Sequence, residues 1–359
     1  MKKYFFLAAT IAAAAAFTSC DKSFEKQYPD IPAQTGKAEL SLAIAGRSQT
    51  KATEAGTDAE NAIGTVDIFV FFKGGEYDGR LDAYAHFDSA PYTLTATAGD
   101  RTVYAVINSE HSESVLEAIS TKDELLEKVA NLGSQKTAGN VPGMFTMVGS
   151  VVRSSATANP LVAGTNNVTV AVDRLVSRVR LRKITRAFDS PALAAQDFSI
   201  EEVYLSNAVS KDTYGSGYVP VADDFTNKLG VQDAAYGIWL RRAVSSSLAD
   251  GASLTMNDAS YSMYTMPNAI DADSEETPFS RRNTKLVVKA SLDGKTLYYV
   301  LPLGQLKGNT TYDIGELVIT RPGSSDPDKK TEVASCTFTV DVNPWTVVPL
   351  ETESGKYVI

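Results

Sequence analysis

Cysteine is nearly absent from this chain of 359 residues: only Cys20 and Cys336 occur, and Cys20 directly follows an apolar leader. If Cys20 is committed to lipid, no intramolecular disulfide can form, even in an oxidising destination, and stability must come from packing. Histidine is equally scarce. His86 and His111 stand far apart, and neither sits in an H-E-x-x-H metal spacing. A G-x-S-x-G elbow, a P-loop and a C-x-x-C pair are also missing, so no catalytic constellation is legible and no enzyme activity is expected. Basic residues are outnumbered, 34 Lys and Arg against 43 Asp and Glu, for a net charge of -9. Binding phosphates would require a basic face, so this balance argues against nucleic acid as a partner. Beyond the leader no second long apolar run occurs, and nothing reads as a membrane-spanning helix.

What is present begins with that leader. Lys2 and Lys3 precede an apolar run from Tyr4 to Phe17, too short for a permanent anchor, which reads as a signal peptide over residues 1–19. It ends in Phe17-Thr18-Ser19-Cys20, similar to a lipobox, so cleavage before Cys20 and acylation of its thiol are expected. Ordinary secretion with Cys20 incidental is the alternative. Residues 21–37, polar and carrying Pro29 and Pro32, read as a tether.

The body reads as strands. In Ala38 to Ile44 the apolar Leu40, Leu42 and Ile44 alternate with small or polar residues, the period of a half-buried strand. A Gly/Ser/Thr/Ala-rich break to Asn61 follows, in which Arg47 and Lys51 are open to a trypsin-like protease. Further strands are predicted over 63–72, 92–96, 101–108, 144–152, 168–172, 175–184, 198–205, 262–266, 285–292, 297–303 and 312–320, with Asp293-Gly294 as a tight hairpin turn. Val115, Leu116, Ile119, Leu125, Leu126 and Val129 recur at helical spacing, predicting one helix over 114–131 that ends at Gly133. Along 175–184 basic residues alternate with apolar ones, which predicts a solvated outer face rather than an anion-binding stripe. Arg321 to Lys330 reads as a flexible hinge, and after it Phe338, Val340 and Val342 alternate into Trp345 and an apolar tail. The absence of βα alternation leaves an all-β fold with one minor helix.

Taken in order, several short stretches resemble the FimA/Mfa-type major fimbrial subunits (fimbrillins) that build the type V pili of Bacteroidia. They are the lipobox at Cys20, the strand and basic break from Ala38 to Lys51, Val103-Tyr104-Ala105-Val106-Ile107-Asn108, Phe145-Thr146-Met147-Val148-Gly149, Asp173 to Val179, Tyr298-Tyr299 with Gly308 to Tyr312, and Val340 to Trp345. The resemblance implies two transthyretin-like antiparallel β-sandwich domains: a lipidated propeptide over 20–51, an N-terminal domain over 52–166, and a C-terminal domain over 167–359. It further implies a lipoprotein precursor in the outer membrane and cleavage by an Arg- or Lys-specific protease at Arg47 or Lys51. The strand of Leu40, Leu42 and Ile44 would then be displaced by a strand from another subunit, giving a surface fimbrium for adhesion. Donor knobs would come from about residues 334–359: Trp345, Val347, Val348, Leu350 and Val358. Pro344 and Pro349 cannot donate to a ladder, so they confine such a strand to short pieces. Alternatively Trp345 and its neighbours form the last strand of their own domain. The partners implied are other fimbrial subunits, the processing protease, the outer membrane, and host or bacterial surface receptors.

A stalk subunit fits best, since a basic cleavage site argues against an uncleaved anchor. A tip or accessory adhesin is an alternative, and a surface glycan-binding lipoprotein another, with Tyr214, Tyr218 and Tyr261 to Tyr264 as candidate stacking residues. No cofactor or metal is expected. The acidic run Asp271 to Glu276 lacks the glycine and bidentate acid of a calcium loop and reads as solvated.

Overall fold

The alternation predicted for the first strand is realised in the computed structural model, which describes residues 36–46, 54–138, 141–228, 231–270, 283–329 and 336–346. Cys20, Arg47, Lys51, Val347, Val348, Leu350, Val358 and the acidic run at 271–276 lie outside the described residues. In β1 (Lys37–Gly46), Ala38, Leu40 and Leu42 point inward while Lys37, Glu39, Ser41 and Ala43 face water. Next come β2 (Glu54–Ala55), the single turn α1 (Asp58–Asn61), β3 (Val66–Phe72), β4 (Leu81–Phe87), β5 (Tyr92–Thr97) and β6 (Arg101–Ile107). After the helical turns α2 (Glu113–Glu117) and α3 (Lys122–Leu126) the chain returns to strand as β7 (Val129–Asn131), β8 (Thr137–Ala138), β9 (Val141–Pro142), β10 (Met147–Arg153) and β11 (Gly164–Arg174).

Seven of these strands form one sheet in the order β4-β3-β6-β10-β11-β1-β5. Its inner face gathers Leu40, Leu42, Val66, Ile68, Val103, Ile107, Val168 and Val170 into one core. The sheet curls until its two ends approach. Asp82 of β4 accepts hydrogen bonds from the Thr97 amide (3.0 Å) and hydroxyl (2.8 Å) of β5, and the Phe87 and Tyr92 rings meet edge to face at 5.6 Å.

The single helix expected over 114–131 is two short turns and a strand. Thr121 accepts from the Glu124 amide and Glu124 bonds back to Thr121, a capping box that starts α3 afresh. Val129–Asn131 is drawn into a ladder with a strand eighty residues on, described next. Leu116, Ile119 and Leu125 are nevertheless buried, as their spacing implied.

The second half supplies β12 (Ser177–Leu181), β13 (Lys183–Arg186), the turn α4 (Pro191–Ala194), β14 (Phe198–Ser206), β15 (Ala208–Val209), β16 (Lys211–Thr213) and β17 (Phe225–Thr226). The turn α5 (Gly237–Leu240) precedes β18 (Arg241–Ser247), β19 (Ser253–Thr255), β20 (Met263–Thr265), β21 (Lys285–Leu292), β22 (Lys295–Pro302), β23 (Thr310–Ile319) and β24 (Cys336–Thr346). One sheet runs β18-β14-β21-β22. In the other, β12 and β13 lie along one edge of β23 and β24 along its opposite edge, with β20 and β19 beyond β12 and β13. The predicted hairpin turn is present: Asp293 (φ 48°) and Gly294 (φ 76°) join Leu292 to its partner Lys295.

The fold is thus an all-β sandwich with minor helix, as predicted, although β1–β11, β12–β23 and β13–β23 are parallel pairs. The change of sheet falls between Arg174 and Ser177, because β11 is hydrogen-bonded into the first sheet as far as Arg174. Two ladders cross that divide: β7 with β16, and β2 with β24.

Two local expectations are corrected. The run 175–184 is two strands with a break at Arg182, and its basic face is not solvated: Arg178 is buried and Arg180 nearly so. Carboxylates remote in sequence cover these side chains, Glu60 on Arg178 and Asp313 on Arg180 (2.9 Å) and Arg182 (2.6 Å). Within the expected hinge, residues 321–329 are pinned, since Ser324 and Tyr298 exchange both backbone hydrogen bonds and Asp328 pairs with the buried Lys285 at 3.0 Å. The strands β4 and β18 carry no strong alternation and were not predicted.

Candidate functional site

Two features converge on the expected site residues: the slot occupied by β1, and a buried cluster at the end of β24. The first of the described strands is an interior strand of its sheet. It runs parallel to β11 from Ala38↔Gly164 to Gly46↔Val172 and antiparallel to β5 from Lys37↔Thr97 to Leu42↔Tyr92. Removing it would leave β11 and β5 with unpaired edges and open the core beneath Leu40 and Leu42. Each leucine contributes roughly 1.5–3 kcal/mol by burial, and Ile44 packs against the same core while half-buried. Leu40, Leu42 and Ile44 therefore lie together along one slot. The chain leaves β1 at Gly46 and resumes at Glu54, and Arg47 and Lys51 fall in that interval.

Trp345, by contrast, sits inside its own chain. It is fully buried in β24, with its amide donating to the Asn309 carbonyl at 2.9 Å. The Arg174 and Arg178 guanidinium carbons lie 4.2 and 4.4 Å from the indole centroid, a pair of cation–π contacts strengthened by burial. Phe145 meets the ring edge-on at 5.7 Å, and Tyr264 stacks at 5.9 Å.

One carboxylate organises these cations. Thr57 and Glu60 form a capping box around α1, and the Glu60 side chain accepts from Arg178 Nη1 at 3.0 and 3.2 Å and from the Tyr264 hydroxyl at 2.6 Å. Burial, the adjacent Glu60 charge and that hydrogen bond all push the Tyr264 phenol far above its ordinary value, so it remains a donor. Arg174 donates to the Glu60 carbonyl at 3.2 Å, to the Trp345 carbonyl at 3.4 Å and to Asn61 Oδ1. Its own burial pulls its pKa down, and the Glu60 charge opposes that pull. Two guanidinium groups and one carboxylate share a space without water access, so the cluster depends on every partner being in place.

The other site candidates are dispersed. Tyr264 and Tyr214 are buried, the latter sharing a 2.8 Å hydrogen bond with Ser109, so they line no stacking groove. Among the described residues no group of three or more His, Cys, Asp or Glu could hold a metal ion. Sequence reasoning missed Glu60, Arg174 and Arg178. The Thr57-x-x-Glu60 capping spacing was a legible signal for the first, but nothing in the sequence tied it to Arg178.

Comparisons with known proteins relate this all-β sandwich to a fimbrial subunit family and to solved adhesion proteins. The model of the major fimbrial subunit protein (FimA) family matches residues 38–179, from β1 into β12. Among solved structures, a Porphyromonas gingivalis fimbrilin (FimA) is 14% identical, with TM-score 0.59, covering 88% of this chain and 99% of its own. A Bacteroides eggerthii protein for which a cell adhesion role has been put forward is 16% identical, with TM-score 0.62 and coverage of 89% and 99%. A Parabacteroides distasonis protein described in the same terms is 18% identical, with TM-score 0.59 and coverage of 86% and 100%. At these identities the likeness establishes the fold. No curated protein matches the chain.

Proposed function

We propose that this chain is a structural fimbrial subunit, most simply of the stalk, whose precursor is a lipoprotein acylated at Cys20 and held in the outer membrane. A trypsin-like protease cuts at Arg47 or Lys51, β1 leaves its slot, and a strand from another subunit takes its place. The role is mechanical and adhesive rather than catalytic, and the polymer presents the subunit to host or bacterial surface receptors.

The single observation that carries this reading is the position of β1. It is the first of the described strands yet interior in its sheet, flanked by β11 and β5, and the chain passes from it to β2 through residues 47–53. A cut in that interval leaves β1 held by non-covalent contacts alone. Its replacement must then supply comparable burial in the pockets of Ala38, Leu40, Leu42 and Ile44.

The donor is assigned to the segment after Thr346, with Val347, Val348, Leu350 and Val358 as its apolar residues. In the uncut precursor Trp345 is the anchor from which that segment leaves, held by its burial among Arg174, Arg178 and Phe145. Two β-sandwich domains meeting between Arg174 and Ser177 form the rod unit, and the β7–β16 and β2–β24 ladders stiffen their junction.

The test is electron microscopy of the purified precursor before and after limited trypsin, with mass spectrometry of the new N-terminus. Filaments are expected only after a cut at Arg47 or Lys51. Filaments from uncut protein, or clean cleavage there without polymer, would overturn the reading.

A further inference from the structure

The residues just beyond the 47–53 interval fasten onto Trp345. We propose that Glu54 to Asn61 form a clasp holding Trp345, and with it the end of β24, against the body, and that a cut between Gly46 and Glu54 loosens the clasp. This rests on the processing reading above and adds a route by which cleavage at one end of the chain is felt at the other.

The clasp has three fastenings. Its backbone pairs with β24 in parallel, Glu54↔Trp345 and Ala55↔Thr346. Gly56 is packed against the cluster: a Cβ there would lie 2.6 Å from Asn61 Oδ1, 2.7 Å from Arg174 Nη2 and 3.1 Å from Trp345 Nε1, so a larger residue must displace these side chains. Finally, Asn61 donates to the Gly56 carbonyl at 3.0 Å and accepts from Arg174, while Glu60 holds Arg178. Both arginines that flank the indole are thus held by the clasp.

A parallel ladder of two residues has little stability of its own, and its persistence depends on how its ends are held. Downstream, α1 is fixed by Glu60. Upstream, the intact chain is fixed by β1 in its slot, which keeps β2 close to β24 at high effective concentration. After cleavage that upstream hold is gone and the ladder frays from a free end. A cut after Lys51, leaving Ala52 and Thr53 ahead of β2, acts more strongly than one after Arg47.

The chain has two tryptophans, so a Trp239→Phe variant of the full precursor makes Trp345 the only one. Its emission and acrylamide quenching are measured in dilute solution before and after a cut confined to 47–53, the site being verified by mass. Cleavage is expected to shift Trp345 emission to longer wavelength and increase quenching. Gly56→Val should do the same without any cut and Gly56→Ala should do so more weakly, with β-sheet circular dichroism retained. Unchanged Trp345 emission and quenching after complete cleavage overturns the clasp. Electron microscopy of the same samples separates the two ideas: filaments without a tryptophan response refute the clasp alone, and a response without filaments refutes polymerisation alone.

Discussion

Leu40→Ala is the perturbation that tests the slot most directly. The side chain is 1% exposed, with Leu94 of β5 and Asn166 of β11 opposite it, and it packs into the core of the seven-stranded sheet. Truncating a buried leucine costs about 2–5 kcal/mol, the lost transfer energy plus the cavity left behind. In the uncut chain this lowers the denaturant midpoint with little change in slope, and it is a large share of the roughly 5–15 kcal/mol by which domains are stable. In the cut chain the same loss weakens retention of β1 by about 30- to 4000-fold, at 1.4 kcal/mol per tenfold. Gel filtration of the cut protein, with mass spectrometry of the released peptide, reads that change. Ser41→Ala on the solvent face of the same strand is the control and should move stability by less than about 0.5 kcal/mol. Unchanged midpoint and retention for Leu40→Ala would refute the reasoning that burial along this face holds the strand.

Two further outcomes follow from buried charge. Glu60→Ala strands Arg178 without its carboxylate and is expected to cost about 3–5 kcal/mol by urea denaturation, with partial recovery on adding Arg178→Met; a cost below about 1 kcal/mol would refute the organising role of Glu60. Asp212 is buried in β16, and burial raises its pKa to about 6, against the lowering by the Thr213 and Tyr218 backbone amides. A carboxyl raised on folding is tolerated below its unfolded value and costs stability as pH climbs from about 4 to about 6, above which the cost is constant. Asp212→Asn should therefore stabilise by about 2–3 kcal/mol at pH 8, and by little at pH 4. Equal effects at both pH values would contradict the assignment.

Where strands alternate strongly, the sequence located them closely: β1, β6, β14 and β21 lie where the period of two put them, and Asp293-Gly294 turns as its residue types require. The reading failed where the deciding partner is distant. Helical spacing over 114–131 was real on the buried face, yet Thr121 and Glu124 restart the helix and Lys211–Thr213 recruits Val129–Asn131 into a ladder. The basic side chains of β12 read as solvated because the carboxylates that bury them, Glu60 and Asp313, lie 118 and 133 residues away in the chain. Half of the site was legible in the same sense. Leu40, Leu42 and Ile44 announced a strand with one buried face, but not that the strand would be interior, and Trp345 announced burial without its partners.

Local chemistry by itself determined that the chain is built of strands, where many of them run, and which face of β1 goes inward, because side-chain direction alternates with every residue whatever the strand pairs with. Only the tertiary structure decided that β1 lies between β11 and β5 and that Trp345 is held between two arginines under a carboxylate from α1. Pairing order and buried charge are set by the closing of long loops, and neither the register of β1 against β11 nor the meeting of Glu60 with Arg178 leaves a mark in the local pattern of residues.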